Sequence, residues 1–197
     1  MKYSLLKPRS ASLNMPNYHQ YLISSLPYLS FGMKAPMEFG RFLELCRDLI
    51  PQAEVTVLEN CADIFKEPGK AKIKAKGIVK MWHDFEFGLR NELVKIRAKR
   101  LHKDAAVYLR NYSEADLVFT HKLSEITRQP QPLEVERMLD MLRWNKLDEL
   151  CFGHYFDMEV LFVYAQKLLI LSRWDKIWGA DKGKLLNRTL ESIEQHV

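Results

Sequence analysis

Between Phe156 and Trp178 the chain carries apolar side chains on two adjoining helical stripes. Leu161, Tyr164, Leu168, Leu171 and Trp178 form one, and Val160, Val163, Ile170 and Trp174 form the next. A stripe that wide has to be covered, so this segment predicts a helix buried between other helices, with the fold built around it. It does not read as a membrane span. Its longest apolar run, Val160 to Leu171, is interrupted by Gln166 and Lys167, and no window approaches the roughly 20 apolar residues that cross a bilayer.

Helical periodicity recurs elsewhere. Met37 to Leu49 places Phe39, Phe42, Leu43, Cys46 and Leu49 on one face and stops at Pro51. From Leu133, the residues Val135, Leu139, Leu142 and Leu150 predict a helix ending near Cys151, with Gly153 available for the turn. Ser113-Glu-Ala-Asp116 has the form of a capping box and predicts a helix to about Thr127, before Pro130 and Pro132 break the chain. Beyond Gly179, Asp181 is placed to cap a last helix with Leu186, Leu190 and Ile193 on its inner face. The fold class is therefore mostly α, as antiparallel helical hairpins stacked side by side. One exception is expected: Tyr18 to Phe31 is rich in aromatic and β-branched residues, and Tyr21 to Ser24 is its candidate strand.

With 47% hydrophobic residues the chain can bury a real core, either as one helical domain over 15–197 or as two lobes joined near 128–132. Residues 1–14 read as a disordered extension, because apolar patterning begins only after Met15, itself an alternative start. The first 37 residues hold Lys2, Lys7, Arg9 and Lys34 and no acid, but they lack the hydrophobic core of a secretory signal. Cys46, Cys61 and Cys151 are odd in number and show no paired metal-ligand spacing, which suggests three reduced thiols in the cytosol.

The basicity is local. Of 30 Lys and Arg residues, 12 fall between Lys66 and Lys103 against four of the 25 acids, giving that stretch a formal +8 in a molecule of +5. Its first part, Lys66 to Lys76, reads as a polar linker. In its second part Ile78, Trp82, Phe85, Leu89, Leu93 and Ile96 share one helical face, while Arg90, Arg97 and Arg100 share another stripe. The expectation is an amphipathic helix with a cationic outer edge suited to an acidic partner.

Signatures of catalysis are missing. The sequence has no GxxxxGK[ST], GxGxxG, HExxH or GxSxG motif, so neither nucleotide binding and hydrolysis nor a cofactor is expected. His154, Asp157 and Glu159 lie close together, but three residues within six positions of a helix do not converge on one metal, so a capping or surface role is expected. His83 and Asp84 are adjacent and diverge. Trp82, Trp144, Trp174 and Trp178 beside a basic helix would suit RNA stacking, yet three of them sit on apolar stripes where core packing is the default. A nucleic-acid-binding or adaptor protein is the alternative reading.

Phe85 to Asp104, FEFGLRNELVKIRAKRLHKD, resembles the signature helix of the A/V-type ATPase C/d-type coupling proteins, with Asn91, Ile96, Arg97 and Lys99 at the matching positions. Val163 to Ile193 is similar to that family's closing helices, with Leu171 and Arg173 as counterparts of its Leu and Arg element. The opening Tyr21 to Cys46 resembles the start of uncharacterised bacterial proteins encoded among V-type ATP synthase genes. The resemblance implies a shortened version of the C/d-type fold: a non-catalytic, cytoplasmic coupling component of a V-type ATPase or ATP synthase, peripheral at the inner face of the membrane, linking the central stalk to the rotor ring. Arg90, Arg97, Lys99, Arg100 and Arg173 are the residues expected to meet those partners.

Overall fold

The computed structural model describes residues 18–66, 77–109 and 117–179. Seven α-helices lie among them: α1 His19–Ser25, α2 Phe39–Leu49, α3 Gln52–Lys66, α4 Gly77–Arg100, α5 Leu117–Ile126, α6 Pro132–Cys151 and α7 Met158–Gly179. A short 3-10 turn, Ala106–Tyr108, follows α4. The fold is mostly α, with no strand among the described residues. The 1–14 extension, the linker beyond Lys66, the Ser113–Asp116 capping box and the helix expected after Asp181 lie outside the described residues.

α7 is the centre, as its double stripe requires. Leu161, Phe162, Ala165, Leu168, Ile170 and Leu171 are inaccessible to solvent, and the helix is flanked chiefly by α3 and α6, with α1, α2 and α4 also against it. Each fully buried Leu, Ile or Phe contributes about 1.5–3 kcal/mol relative to exposure. The two polar interruptions are absorbed. Gln166 is buried and its Nε2 donates to the Cys61 carbonyl on α3 at 3.4 Å. Lys167 lies over the Trp144 ring at 4.8 Å while its ammonium reaches Asp148. The long connection before α2 is fastened to the same helix, since the Tyr164 hydroxyl donates to the Pro27 carbonyl and the Ala35 amide to Asp175.

The Tyr21–Ser24 segment is helical, which corrects the strand expected there. His19, Leu22 and Ile23 recur at helical spacing; Leu22 is wholly buried, and His19 Nε2 meets Glu54 of α3 at 2.6 Å. Packing one apolar side against α2 and α7 outweighs β-branched content, and an isolated strand would leave its backbone groups unpaired. Pro27 ends the turn.

α3 has no counterpart in the sequence reading. Pro51 precedes it, Glu54 sits in its first turn where the helix dipole favours an acid, and Val55, Leu58 and Cys61 are wholly buried at helical spacing. Cys46 and Cys61 are free thiols in the same core, and burial pushes each up to about 12.

Buried side chains form two clusters. The larger joins α1, α2, α3 and α7 to the start of α4 and the second half of α6. The smaller gathers Leu89 and Leu93 of α4, Leu123 and Ile126 of α5, and Leu139 and Leu142 of α6, with Phe85 packed against both clusters. Residues 128–132 join α5 to α6, which both contribute to the smaller one. Pro132 stands in the first turn of α6, where its missing N–H costs nothing.

If α7 carries the fold, Phe162→Ala should lower unfolding free energy by about 3–5 kcal/mol, whereas Met81→Ala, on the exposed side of α4, should stay within about 0.5 kcal/mol. Urea titration followed by circular dichroism measures both; equal losses would remove α7 from the centre.

Candidate functional site

α4 presents two different charged surfaces, because acids on its inner side hold some of its cations. Ile78, Trp82, Leu89 and Leu93 are buried as the stripe requires, but Glu86 and Glu92 are buried beside them. Arg90 is accordingly half-buried and drawn toward Glu86, 3.9 Å away. Lys95 is held by Glu92 at 2.6 Å, and the Thr120 hydroxyl of α5 donates to the other oxygen of Glu92 at 3.0 Å. Arg97, Lys99 and Arg100 follow these pairs on the exposed end of the helix.

That end forms one wall of a cleft of about 570 Å³ between α4 and α5. Glu92, Lys95, Ile96, Lys99 and Arg100 contribute from α4 at a spacing that keeps them on one side. Thr120 and Ser124 face them from α5, with Arg128 just beyond its end, and His102 closes the α4 side. Four permanent cations thus surround one carboxylate, and that carboxylate is already paired. Arg100 is also structural, since it donates to the Thr127 carbonyl past the end of α5.

Arg173 lies elsewhere. It belongs to a chain of ion pairs joining α4, α6 and α7. Glu86 accepts from Arg143 Nε at 2.7 Å, Arg143 donates onward to Asp140 at 2.9 Å, and Asp140 accepts in turn from Arg173 and from Trp174 Nε1, the latter at 2.8 Å. Arg173 also reaches Glu136 at 3.4 Å. Glu86 and Asp140 are buried, and Arg143 nearly so. Burial opposes the charge on Arg143, but Glu86 and Asp140 more than offset it and raise its pKa. Of the five residues expected to meet a partner, Lys99 and Arg100 are brought together in the cleft, Arg97 stays exposed on α4 outside its lining, and Arg90 and Arg173 are engaged by acids within the fold.

The buried acids were missed by sequence reading, although a signal exists. Glu86 falls between Trp82 and Leu89 on the apolar stripe, four residues before Arg90, and Asp140 follows Leu139 three residues before Arg143. A carboxylate in an apolar sector with a cation one turn away marks an internal pair. Trp82, Trp144 and Trp174 are core residues and offer no face to a nucleobase; Trp178 is exposed.

His154, Asp157 and Glu159 come within 4.8 Å of one another through their donor atoms, closer than helical spacing implies, because His154 and Asp157 precede the helix. His154 Nδ1 and Asp157 Oδ2 are 2.7 Å apart, and the Val160 amide donates to Asp157 Oδ1 at 3.2 Å, so Asp157 caps α7. The hydrogen bond to Asp157 raises the His154 pKa. Burial lowers that of His83, whose ring packs at a tilt against Phe87 with centroids 4.4 Å apart.

A family model described as a protein of unknown function (DUF2764) matches residues 69–197, more than half of the sequence, and the chain belongs to that family. No curated protein and no solved structure matches it.

Removing Asp140 from the centre of the buried chain of ion pairs takes away the carboxylate that joins two arginines and the Trp174 indole, leaving Arg143 with Glu86 and Arg173 with the more exposed Glu136. Asp140→Ala is expected to cost about 3–5 kcal/mol of stability, while Glu136→Ala, at its more exposed end, should cost no more than about 1 kcal/mol. Comparable midpoints for the two variants in chemical denaturation would contradict this ranking.

Proposed function

We propose that this member of the DUF2764 family is a non-catalytic coupling component of a V-type ATPase or ATP synthase, seated between the central stalk and the membrane rotor ring. The observation that carries the reading is the α4 helix. Its sequence from Phe85 to Asp104 resembles the signature helix of the C/d-type coupling proteins, and its exposed end presents Arg97 and Lys99, two of the four matching residues, to solvent. Among the described residues no acid pairs with either. Such unpaired rim cations steer an acidic partner and set its register.

The rest of the molecule is compatible with a mechanical role. Transmitting torque needs a body that resists shear, and the ion pairs crossing α4, α6 and α7 are directional contacts of that kind. Among the described residues no helix is long and apolar enough to cross a membrane. On this reading the protein reaches the cytoplasmic membrane face through its partners.

Arg90 and Arg100 make poor probes of docking, since each is engaged inside the fold. The informative variant is Arg97→Glu with Lys103→Glu, two exposed positions outside the cleft lining. Expressed with its genomic neighbours, the tagged parent should copurify with stalk and ring proteins of the ATPase, and the variant should recover about tenfold less at low ionic strength with an unchanged melting temperature. Absence of ATPase components from the parent preparation, with tight binding of generic RNA at physiological salt, would favour the nucleic-acid reading instead. The isolated chain is expected to turn over no ATP; turnover abolished by a substitution in this chain would refute the non-catalytic assignment.

A further inference from the structure

We propose that the cleft between α4 and α5 is a binding site for a small phosphate-bearing anion, held by Lys99, Arg128 and His102. The inference shares Lys99 with the coupling reading but does not rest on it, and it is tested on the isolated chain.

Three features of the cleft point to such a ligand. Its volume of about 570 Å³ lies in the range of small-molecule sites, with Ile96 and the lysine stems supplying apolar wall between polar groups. Its positive charge exceeds its negative charge among the described residues. Glu92 is spent on Lys95 and Thr120, and among the described residues no acid pairs with Lys99 on α4 or with Arg128 just past the end of α5. An anion between two such cations relieves their mutual repulsion, and phosphate oxygens accept charge-assisted hydrogen bonds from both kinds of cation. The gap is also preorganised, because the bond from Arg100 to the Thr127 carbonyl ties the end of α5 to α4.

His102 gives the third. α4 ends in a Schellman turn, in which the Lys103 amide donates to the Ala98 carbonyl at 3.0 Å and the His102 amide to the Lys99 carbonyl at 3.4 Å. The residue in the middle of that turn takes left-handed backbone angles, and His102 does so with φ +52°, the only non-glycine at positive φ among the described residues. Glycine is the residue this position favours, since a side chain there crowds the following carbonyl. The sequence instead keeps an imidazole there, on the cleft wall. Strain retained at the edge of a cleft is accounted for if the side chain contacts a ligand. The lining includes no Trp, Tyr or Phe to stack on a base, so the anion is a compact phosphate ester and not a strand of RNA.

Titration calorimetry with inorganic pyrophosphate at low ionic strength tests the site. Saturable binding that weakens with salt is expected, and Lys99→Ala with Arg128→Ala should lower the affinity by about tenfold or more. Both side chains are exposed, so the fold should be retained. His102→Gly provides an independent readout: it should raise the melting temperature by about 2–4 °C while weakening pyrophosphate binding several-fold. Flotation with phosphatidylglycerol vesicles that pyrophosphate reverses would place the phosphate on a lipid headgroup; soluble binding without flotation would place it on a free ester. No saturable binding, equal affinity in the double variant, or RNA binding that pyrophosphate does not displace would overturn the site. A His102→Gly protein that binds as tightly as the parent would overturn the role given to His102.

Discussion

Asp140 fixes the relation between three helices. One oxygen accepts from Arg143 on its own helix, and the other accepts from Arg173 and the Trp174 indole on α7. Through Arg143 the contact extends to Glu86 and so to α4. Hydrophobic burial is nondirectional and would tolerate some sliding of α6 along α7. Hydrogen bonds to a carboxylate buried at zero exposure would not, since any slip leaves a charge without its partners in a medium that solvates it poorly. The ion pairs add little net stability compared with an apolar replacement. Their physical consequence is register, and the register of α4 decides where its outer cations stand.

Acids along α4, two buried and one at the surface, revise what the formal charge means. A stretch of +8 suggests a uniformly positive rod, yet Lys80 pairs with Asp84, Arg90 with Glu86 and Lys95 with Glu92. Three of the four acids between Lys66 and Lys103 are spent along the first two thirds of α4. The unbalanced positive field therefore comes from the last turns, Arg97 to Lys103, joined by Arg128 from across the cleft. Within a Debye length of about 8–10 Å these cations act together, while the paired ones upstream are largely cancelled.

Helix content was legible because it rests on a one-dimensional pattern. The stripes expected on α2, α6 and α7 are the ones that turn inward, apart from Trp178, which stays exposed at the end of α7, and the helix starts differ by two residues or fewer, Met37 against Phe39 and Phe156 against Met158. Local composition misled at Tyr21–Ser24, where Leu22 and His19 are held by α2, α3 and α7, contacts invisible in a short window. α3 escaped for the opposite reason: Gln52, Glu54 and Thr56 dilute a stripe that only Val55, Leu58 and Cys61 declare. At the candidate site Lys99 and Arg100 could be read from the helix alone. Thr120, Ser124 and Arg128 could not, because the cleft exists only once α5 folds back on α4.

Arg173 illustrates the limit of reading function from residue type. A basic side chain near the end of a long apolar helix is as well suited to an internal carboxylate as to a partner's, and sequence does not say which acid arrives first. Here Asp140 and Glu136, more than 30 residues upstream, reach it within the chain. Lys99 and Arg128 have no such acid in reach among the described residues, which is the distinction that separates a cation used to hold the fold from one left for binding. The His102 backbone sharpens it: a position where glycine would relax the turn keeps a side chain, and that side chain faces the same unpaired charges. Stability and binding pull in opposite directions at this one residue, and the sequence has followed binding.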